Sequence, residues 1–324
     1  MLNRRQFNAS ALALYATAAT PVLAQAAYPN RPVKLIVPFA PGGGPDIMTR
    51  KVAPKLADIL GQNVVVENVV GAGGILAGQT AARAAPDGYT ILLGASTHIT
   101  QKAMLPNVKF DPLKDFAPIT QVSLGSVLLT APGTAPYNDL KGFIAWAAQQ
   151  KRPISFGTWG IGSSAHIYGE ILRKEHGVDL NHVPYKGELP AITDVIGGNL
   201  DITFSSPVGA RPQVAAGKLK ALAMAGPARS AAMPEVPTFG EQGFKGFELA
   251  VWVAAYAPAG TPAAIVERLQ REIAAIIRLP DVAPKLVDQG QTPLGNTPAE
   301  FEASFRDQAP RWEALIRASG AKAQ

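Results

Sequence analysis

Short β-branched and aliphatic runs alternate along the chain with segments of helical periodicity. Residues 33–39, 64–66, 89–93, 127–129, 154–156, 200–204, 219–224 and 249–256 read as buried strands, because unbroken apolar runs mark strands covered on both faces. Between them, Val52, Leu56, Ile59 and Leu60 fall at i, i+4, i+7 and i+8, the apolar stripe of one helix. Pro54 inside that stripe predicts a kink, since it removes a donor and crowds the preceding turn. Thr297-Pro298-Ala299-Glu300 spells a capping box with proline at the first helical position, opening a last helix through about Arg317. Thr261-Pro262 opens another helix, and Pro132-Gly133 and Asp87-Gly88 mark turns. The alternation predicts an α/β fold of mostly parallel sheets flanked by helices.

Composition narrows the function classes. With 324 residues, 47% of them hydrophobic and 17% charged, the chain can bury one large core or two ordinary ones and is too apolar to be disordered. No run of about 18 apolar residues appears, which excludes a multi-span membrane protein. The absence of cysteine excludes disulfide scaffolds, thiol catalysis and cysteine-ligated metals. The net charge of +6 is scattered with no basic run of five, so no nucleic-acid partner is expected. His98, His166, His176 and His182 lack metal-ligand spacing, and no metal or cofactor is expected.

Residues 1–26 read as a cleavable export signal: Arg4 and Arg5, an Ala/Leu/Thr-rich stretch, then Ala24-Gln25-Ala26. Cleavage after Ala24 and after Ala26 both fit. Asn3-Arg4-Arg5-Gln6-Phe7 leaves both a general secretory and a twin-arginine route open. The expected product is a soluble periplasmic protein. What remains is long for a single core and predicts two domains, and the lack of a flexible linker suggests that the chain crosses between them on strands.

Four segments could carry chemistry. In Phe39-Ala40-Pro41-Gly42-Gly43-Gly44-Pro45-Asp46 a strand ends, glycines turn, and a proline starts a helix. The free amides of that first helical turn make an anion site, provided Asp46 turns away or caps the helix. Gly71-Ala72-Gly73-Gly74-Ile75-Leu76-Ala77-Gly78 lacks the third glycine of a dinucleotide fingerprint and reads as a second glycine-rich loop on the same cleft. Gly157-Thr158-Trp159-Gly160-Ile161-Gly162-Ser163-Ser164-Ala165-His166 offers hydroxyls and helix amides to an anionic oxygen. Ser163 and His166 also admit a serine hydrolase reading, against which stands the position of Ser163 as a helix N-cap and the absence of a Gly-x-Ser-x-Gly elbow. Around Tyr185-Lys186-Gly187-Glu188, Tyr185 could line a cleft with ring and hydroxyl.

Taken in order, several segments resemble the Bug family, the TctC-like periplasmic receptors of tripartite tricarboxylate transporters. They are Tyr28-Pro29-Asn30-Arg31-Pro32, Pro41-Gly42-Gly43-Gly44-Pro45-Asp46, Val64-Val65-Val66-Glu67-Asn68, Gly71-Ala72-Gly73-Gly74 and Ala85-Pro86-Asp87-Gly88-Tyr89. Phe110-Asp111-Pro112, Asp115-Phe116-Ala117-Pro118-Ile119, Gly162-Ser163, His166, Val183-Pro184-Tyr185-Lys186-Gly187 and Gly197-Gly198 before Asp201 complete the series. Each piece is unspecific alone; the ordered set is specific and spans the chain beyond the export signal.

The resemblance implies a two-lobed Venus-flytrap receptor, with lobe 1 formed by residues 27–125 and 248–324 and lobe 2 by residues 126–247. It implies a non-enzymatic monomer that captures a di-, tri- or aromatic carboxylate between the lobes and presents it to membrane permease subunits or acts in signalling. The residues it places at the ligand are Phe39, Gly42, Gly43, Gly44, Asp46 and Gly74, Ser96 and Thr97 after a third strand, and Trp159, Ser163, Ala165, His166, Tyr185, Asp201 and Ser205. Two departures bear on ligand choice. Trp159 stands where the family has a small residue, and either stacks on a planar acid or packs against its lobe. Glu188, likewise at a position of small residues, would disfavour a second ligand anion.

Overall fold

In a computed structural model of the chain, residues 28–104 and 108–321 are described; the export-signal segment lies outside them. The peptide bond between Tyr28 and Pro29 is cis. From Arg31 onward the chain forms one unit built on two sheets.

The first sheet holds β1 (Val33–Val37), β2 (Val64–Asn68), β3 (Thr90–Ala95), β4 (Phe116–Gly125), β10 (Val251–Pro258) and β11 (Gln291–Pro293) in the order β11-β4-β10-β3-β1-β2. The second holds β5 (Val127–Pro132), β6 (Ile154–Thr158), β7 (Leu180–Pro184), β8 (Ile202–Ser205) and β9 (Leu219–Ala225) in the order β7-β6-β8-β5-β9. Helices α1 (Gly44–Leu60), α2 (Ile75–Ala82), α3 (Thr97–Met104), α8 (Ala263–Ile277), α9 (Ala283–Val287) and α10 (Pro298–Ser319) accompany the first sheet. Helices α4 (Leu140–Ala147), α5 (Ser164–Glu175), α6 (Glu188–Ile196) and α7 (Pro207–Ala215) accompany the second.

Both sheets are mixed where mostly parallel ones were expected. β1 runs parallel to β2 and β3, and β6 to β7 and β8, but β10 is antiparallel to β3 and β4, and β5 to β8 and β9. The reason is the crossing. β4 ends at Gly125 and β5 begins at Val127, so a single residue carries the chain between sheets. A strand arriving from the other lobe enters at the carboxyl ends of the parallel strands and must run against them. The return on β10 does the same: Val251 pairs with Gly125, and Val253 with Ala95. Both crossings therefore mark the cleft, and the carboxyl ends of β1, β3, β6 and β8 face it.

The expected elements form with local reasons intact. Thr297 caps α10 by accepting from the Glu300 amide, and the Glu300 carboxylate accepts from the Thr297 amide at 2.8 Å. Pro54 lies within α1, which continues across it; Pro54 and Arg50, whose carbonyl loses its donor, are both exposed. Residues 64–66, expected as a buried strand, belong to edge strand β2, where Val65 is exposed. α10 contacts both lobes, packing on Trp252 of β10 and on α5. Trp312 packs near Tyr168 of α5, whose hydroxyl donates to the Leu249 carbonyl at 2.6 Å. No helix of the described residues is long and apolar enough to cross a membrane.

Candidate functional site

The turn after β1 fixes the first wall. Gly42 has φ +90°, a conformation that favours glycine, and it lies close to Leu189 of the other lobe, whose Cδ1 would be 2.8 Å from an added Cβ. Gly43 is the N-cap of α1 and Pro45 sits in its first turn, leaving first-turn amides with no partner inside the helix. Asp46 turns away from these amides. Its buried carboxylate accepts from the Gly42 amide (3.0 Å), Arg50 Nε (3.0 Å) and Asn68 Nδ2 (2.8 Å), and Asn68 also donates to the Phe39 carbonyl (2.9 Å). Burial would raise its pKa, but the bonds from Arg50, Asn68 and Gly42 outweigh it and hold the group below the usual carboxylate range. Asp46 is thus an ionised brace for the turn, with its charge committed to Arg50.

Four more helices begin on the same space. Ser96 and Thr97 open α3, Ser164 opens α5, Gly187 and Glu188 open α6, and Ser206 and Pro207 open α7. With Phe39 and Gly43, Gly44 and Pro45 at the start of α1, these residues line one cavity with ≈ 740 Å³ of empty space, open solvent at its mouth included. Val127, Trp159, the stretch from Val251 to Val253, and the turn from Gln289 to Gln291 complete the wall. Among the described residues neither lysine nor arginine lines it, and Glu188 is the one charged lining residue. Five helix starts converge on a largely apolar cavity, and their dipoles favour an anionic group on an apolar body, with the Glu188 carboxylate already on the start of α7.

The lobes touch across the mouth. The Ala40 amide donates to the Lys186 carbonyl at 3.4 Å, and Thr100 Oγ1 to the Gly162 carbonyl at 2.5 Å. Gly73, at φ +63°, faces the Ile161 carbonyl so closely that a Cβ would come within 2.3 Å of its oxygen.

Of the sequence-predicted residues, Phe39, Gly43, Gly44, Ser96, Thr97 and Trp159 line the cavity. Trp159 also packs against the main hydrophobic cluster. Gly42 and Asp46 shape the first turn from behind, and Gly74 caps α2 near the lobe contact. Ser163 is the N-cap of α5, accepting from the His166 amide at 3.2 Å. Ala165 is buried in the first turn of α5. His166 stacks on His182 at 4.0 Å and its Nδ1 accepts from the Gly162 amide at 3.4 Å. Burial, with Arg173 nearby, lowers its pKa to about 4, so it is neutral near pH 7; Ser163 Oγ is bonded to the His166 amide rather than to its ring, which does not support Ser163 and His166 as a nucleophile–base pair. Tyr185 donates to Asp194 at 2.5 Å behind the cavity wall. Ser205 is buried beside Thr130 between β8 and β5. Asp201 lies at the opposite end of β8, clamped by Arg152 at 2.6 Å through each nitrogen and by the Ser155 amide at 2.8 Å.

Sequence reasoning missed Ser123, Ser206 and Gln291 as lining residues. Gln291 Oε1 accepts from Ser123 Oγ at 2.9 Å while its Nε2 reaches the Gly44 carbonyl at 3.4 Å. Ser206 carried a readable signal, since Ser206-Pro207 after a strand repeats the cap-plus-proline logic of Gly43-Gly44-Pro45. Gln291 carried none, because a three-residue strand places it.

Comparison with known proteins places this architecture. Residues 48–321 match the tripartite tricarboxylate transporter family receptor, TctC. The chain belongs to that family. The periplasmic binding protein BugD is 35% identical, covers 92% of this chain and 100% of its own, and superposes with a TM-score of 0.87. MatC from Rhodopseudomonas palustris, solved with malate, is 33% identical over 89% of this chain and 100% of its own, with a TM-score of 0.84. An R. palustris protein solved with adipate is 31% identical over 91% of this chain and 99% of its own, with a TM-score of 0.86. As a TctC-family member this chain is a two-lobed solute-binding protein, and its family is one of periplasmic receptors rather than enzymes.

Proposed function

We propose that this receptor captures a small organic carboxylate in the cavity between its lobes and presents it to the membrane permease of a tripartite tricarboxylate-type transporter. The observation that carries this reading is the convergence of five helix starts on a cavity that no lysine or arginine among the described residues lines. The relatives solved with malate and adipate support the acid as ligand class. The lobes, residues 27–125 with 248–324 and residues 126–247, sit in an open–closed equilibrium, and a ligand touching both shifts it by its differential affinity. Phe39, Gly43, Gly44, Ser96, Thr97 and Ser164 supply contacts near the acid group. Trp159 supplies a face for a planar or aromatic body. Charge-assisted hydrogen bonds of about 1.5–3 kcal/mol each, a few in number, support affinity around micromolar or better. Residues 1–26 direct export to the periplasm, and the receptor acts as a monomer.

A thermal-shift screen of aliphatic and aromatic acids against the protein without residues 1–26, followed by calorimetry, tests the reading. At least one acid should raise Tm and bind with one-to-one stoichiometry. A complete absence of binding across the acids would refute it.

A further inference from the structure

Glu188 is a carboxylate that the receptor already carries at its own anion site. It is the first residue of α6 and is 7% exposed. Its Oε2 accepts from the Ser206 amide at 2.6 Å and its Oε1 from Ser206 Oγ at 2.7 Å. The start of α1 lies across the cleft from it: a Cβ on Gly43 would stand 4.0 Å from Glu188 Oε1. Glu188 therefore sits on the N-cap of α7 and touches the N-terminus of α1 from the opposite lobe, as an acid bridging the lobes would. No lysine or arginine pairs with it among the described ion pairs.

A buried carboxylate without a cation costs stability unless helix dipoles and donors compensate. Burial pushes the pKa of Glu188 above the usual carboxylate range, and the donors of Ser206 and the start of α1 offset this only in part. The place of Glu188 on the cavity wall gives the charge another consequence.

We infer that Glu188 fills one of two carboxylate positions in the cavity, so that the receptor accepts acids with a single carboxylate and excludes dicarboxylates. This rests on the carboxylate reading of the same cavity and deepens it. A dicarboxylate closing the cleft would have to displace Glu188 from Ser206 or place its second anion beside it with no cation to offset the repulsion. A monocarboxylate leaves Glu188 in place, uses the starts of α3 and α5, and lays its apolar body along Trp159 and the β10 wall.

Matched acid pairs, hexanoate with adipate and benzoate with terephthalate, titrated calorimetrically into wild type and into Glu188→Ala, test the assignment. In wild type the monoacid of at least one pair should bind roughly tenfold or more tighter than its diacid. In Glu188→Ala the freed Ser206 donors should strengthen diacid binding by roughly 10–100-fold, and shift the diacid-to-monoacid affinity ratio toward the diacid by about tenfold or more. Glu188→Gln, which removes the charge but still covers Ser206, should admit diacids less than the alanine variant does. Diacid binding in wild type as tight as monoacid binding, or an unchanged ratio in Glu188→Ala, overturns the inference and leaves the receptor reading intact. Failure of every acid to bind wild type and variants alike overturns both. Should Glu188→Ala not fold, a crystal structure of wild type with its tightest acid decides: Glu188 still on Ser206 supports the inference, and a ligand carboxylate in its place refutes it.

Discussion

Gly73→Ala separates lobe closure from folding. Gly73 belongs to the first lobe and Ile161 to the second, and a Cβ at position 73 would lie 2.3 Å from the Ile161 carbonyl oxygen. Side-chain carbons essentially never approach closer than 3.0 Å, so the lobes would have to part by about 0.7 Å at this point. The obstructing atom is backbone and cannot swing aside, and Gly160, at φ +129°, packs directly against Gly73. The substitution also costs about 1–2 kcal/mol for an alanine at φ +63°, a local backbone strain that does not depend on contact with Ile161. The clash exists only when the lobes meet. It should therefore shift the equilibrium toward the open form and weaken ligand binding by roughly tenfold or more, while the unliganded Tm falls by only a few degrees. Calorimetry reads the affinity, and small-angle scattering of the liganded protein reads the remaining opening. Wild-type affinity together with wild-type compaction on binding would refute the closure argument.

Three further outcomes follow from the same geometry. Asp46→Ala removes the acceptor that holds the Gly42 amide, Arg50 and Asn68, and should cost about 1–3 kcal/mol of stability in chemical denaturation and weaken acid binding as well; unchanged values on both counts would contradict its role as a brace. Trp159→Ala should weaken planar aromatic acids more than aliphatic acids of equal charge, and an equal loss for both would remove the stacking argument. Burial lowers the pKa of His98 to about 3 and, with His166 beside it, that of His182 to about 3, while burial and Arg173 lower His166 to about 4. Unfolded histidines bind protons near 6.5, so the unfolded state takes up more protons; stability is full above pH about 6.5 and falls as pH drops toward 4, by up to about 1.4 kcal/mol per pH unit for each histidine. A Tm that stays flat from pH 6.5 to 4.5 would contradict this.

What could be read in advance was local. The turn from Phe39 to Asp46 and the capping box at Thr297 act through residues a few positions apart, and both form as their residue types dictate. Strand direction was not legible: the apolar runs of β5 and β10 look like any buried strand, and only their entry from the other lobe reverses them. The Glu188–Ser206 pair joins residues 18 apart through two helix starts, and Gln291 reaches Gly44 across 247 positions, so no spacing announces either. Asp201 shows the converse limit. A polar residue bordering a strand can stand at either end of it, and here Arg152 holds it at the end away from the cleft.

The most direct test is a crystal structure of the protein without residues 1–26, grown with an acid proven to bind by calorimetry. The account predicts the ligand carboxylate within hydrogen-bonding distance of helix-start groups drawn from Gly43, Gly44, Ser96, Thr97 and Ser164, with both lobes in contact with it. An acid bound outside this cavity, or held there by a lysine or arginine side chain, would contradict the central claim.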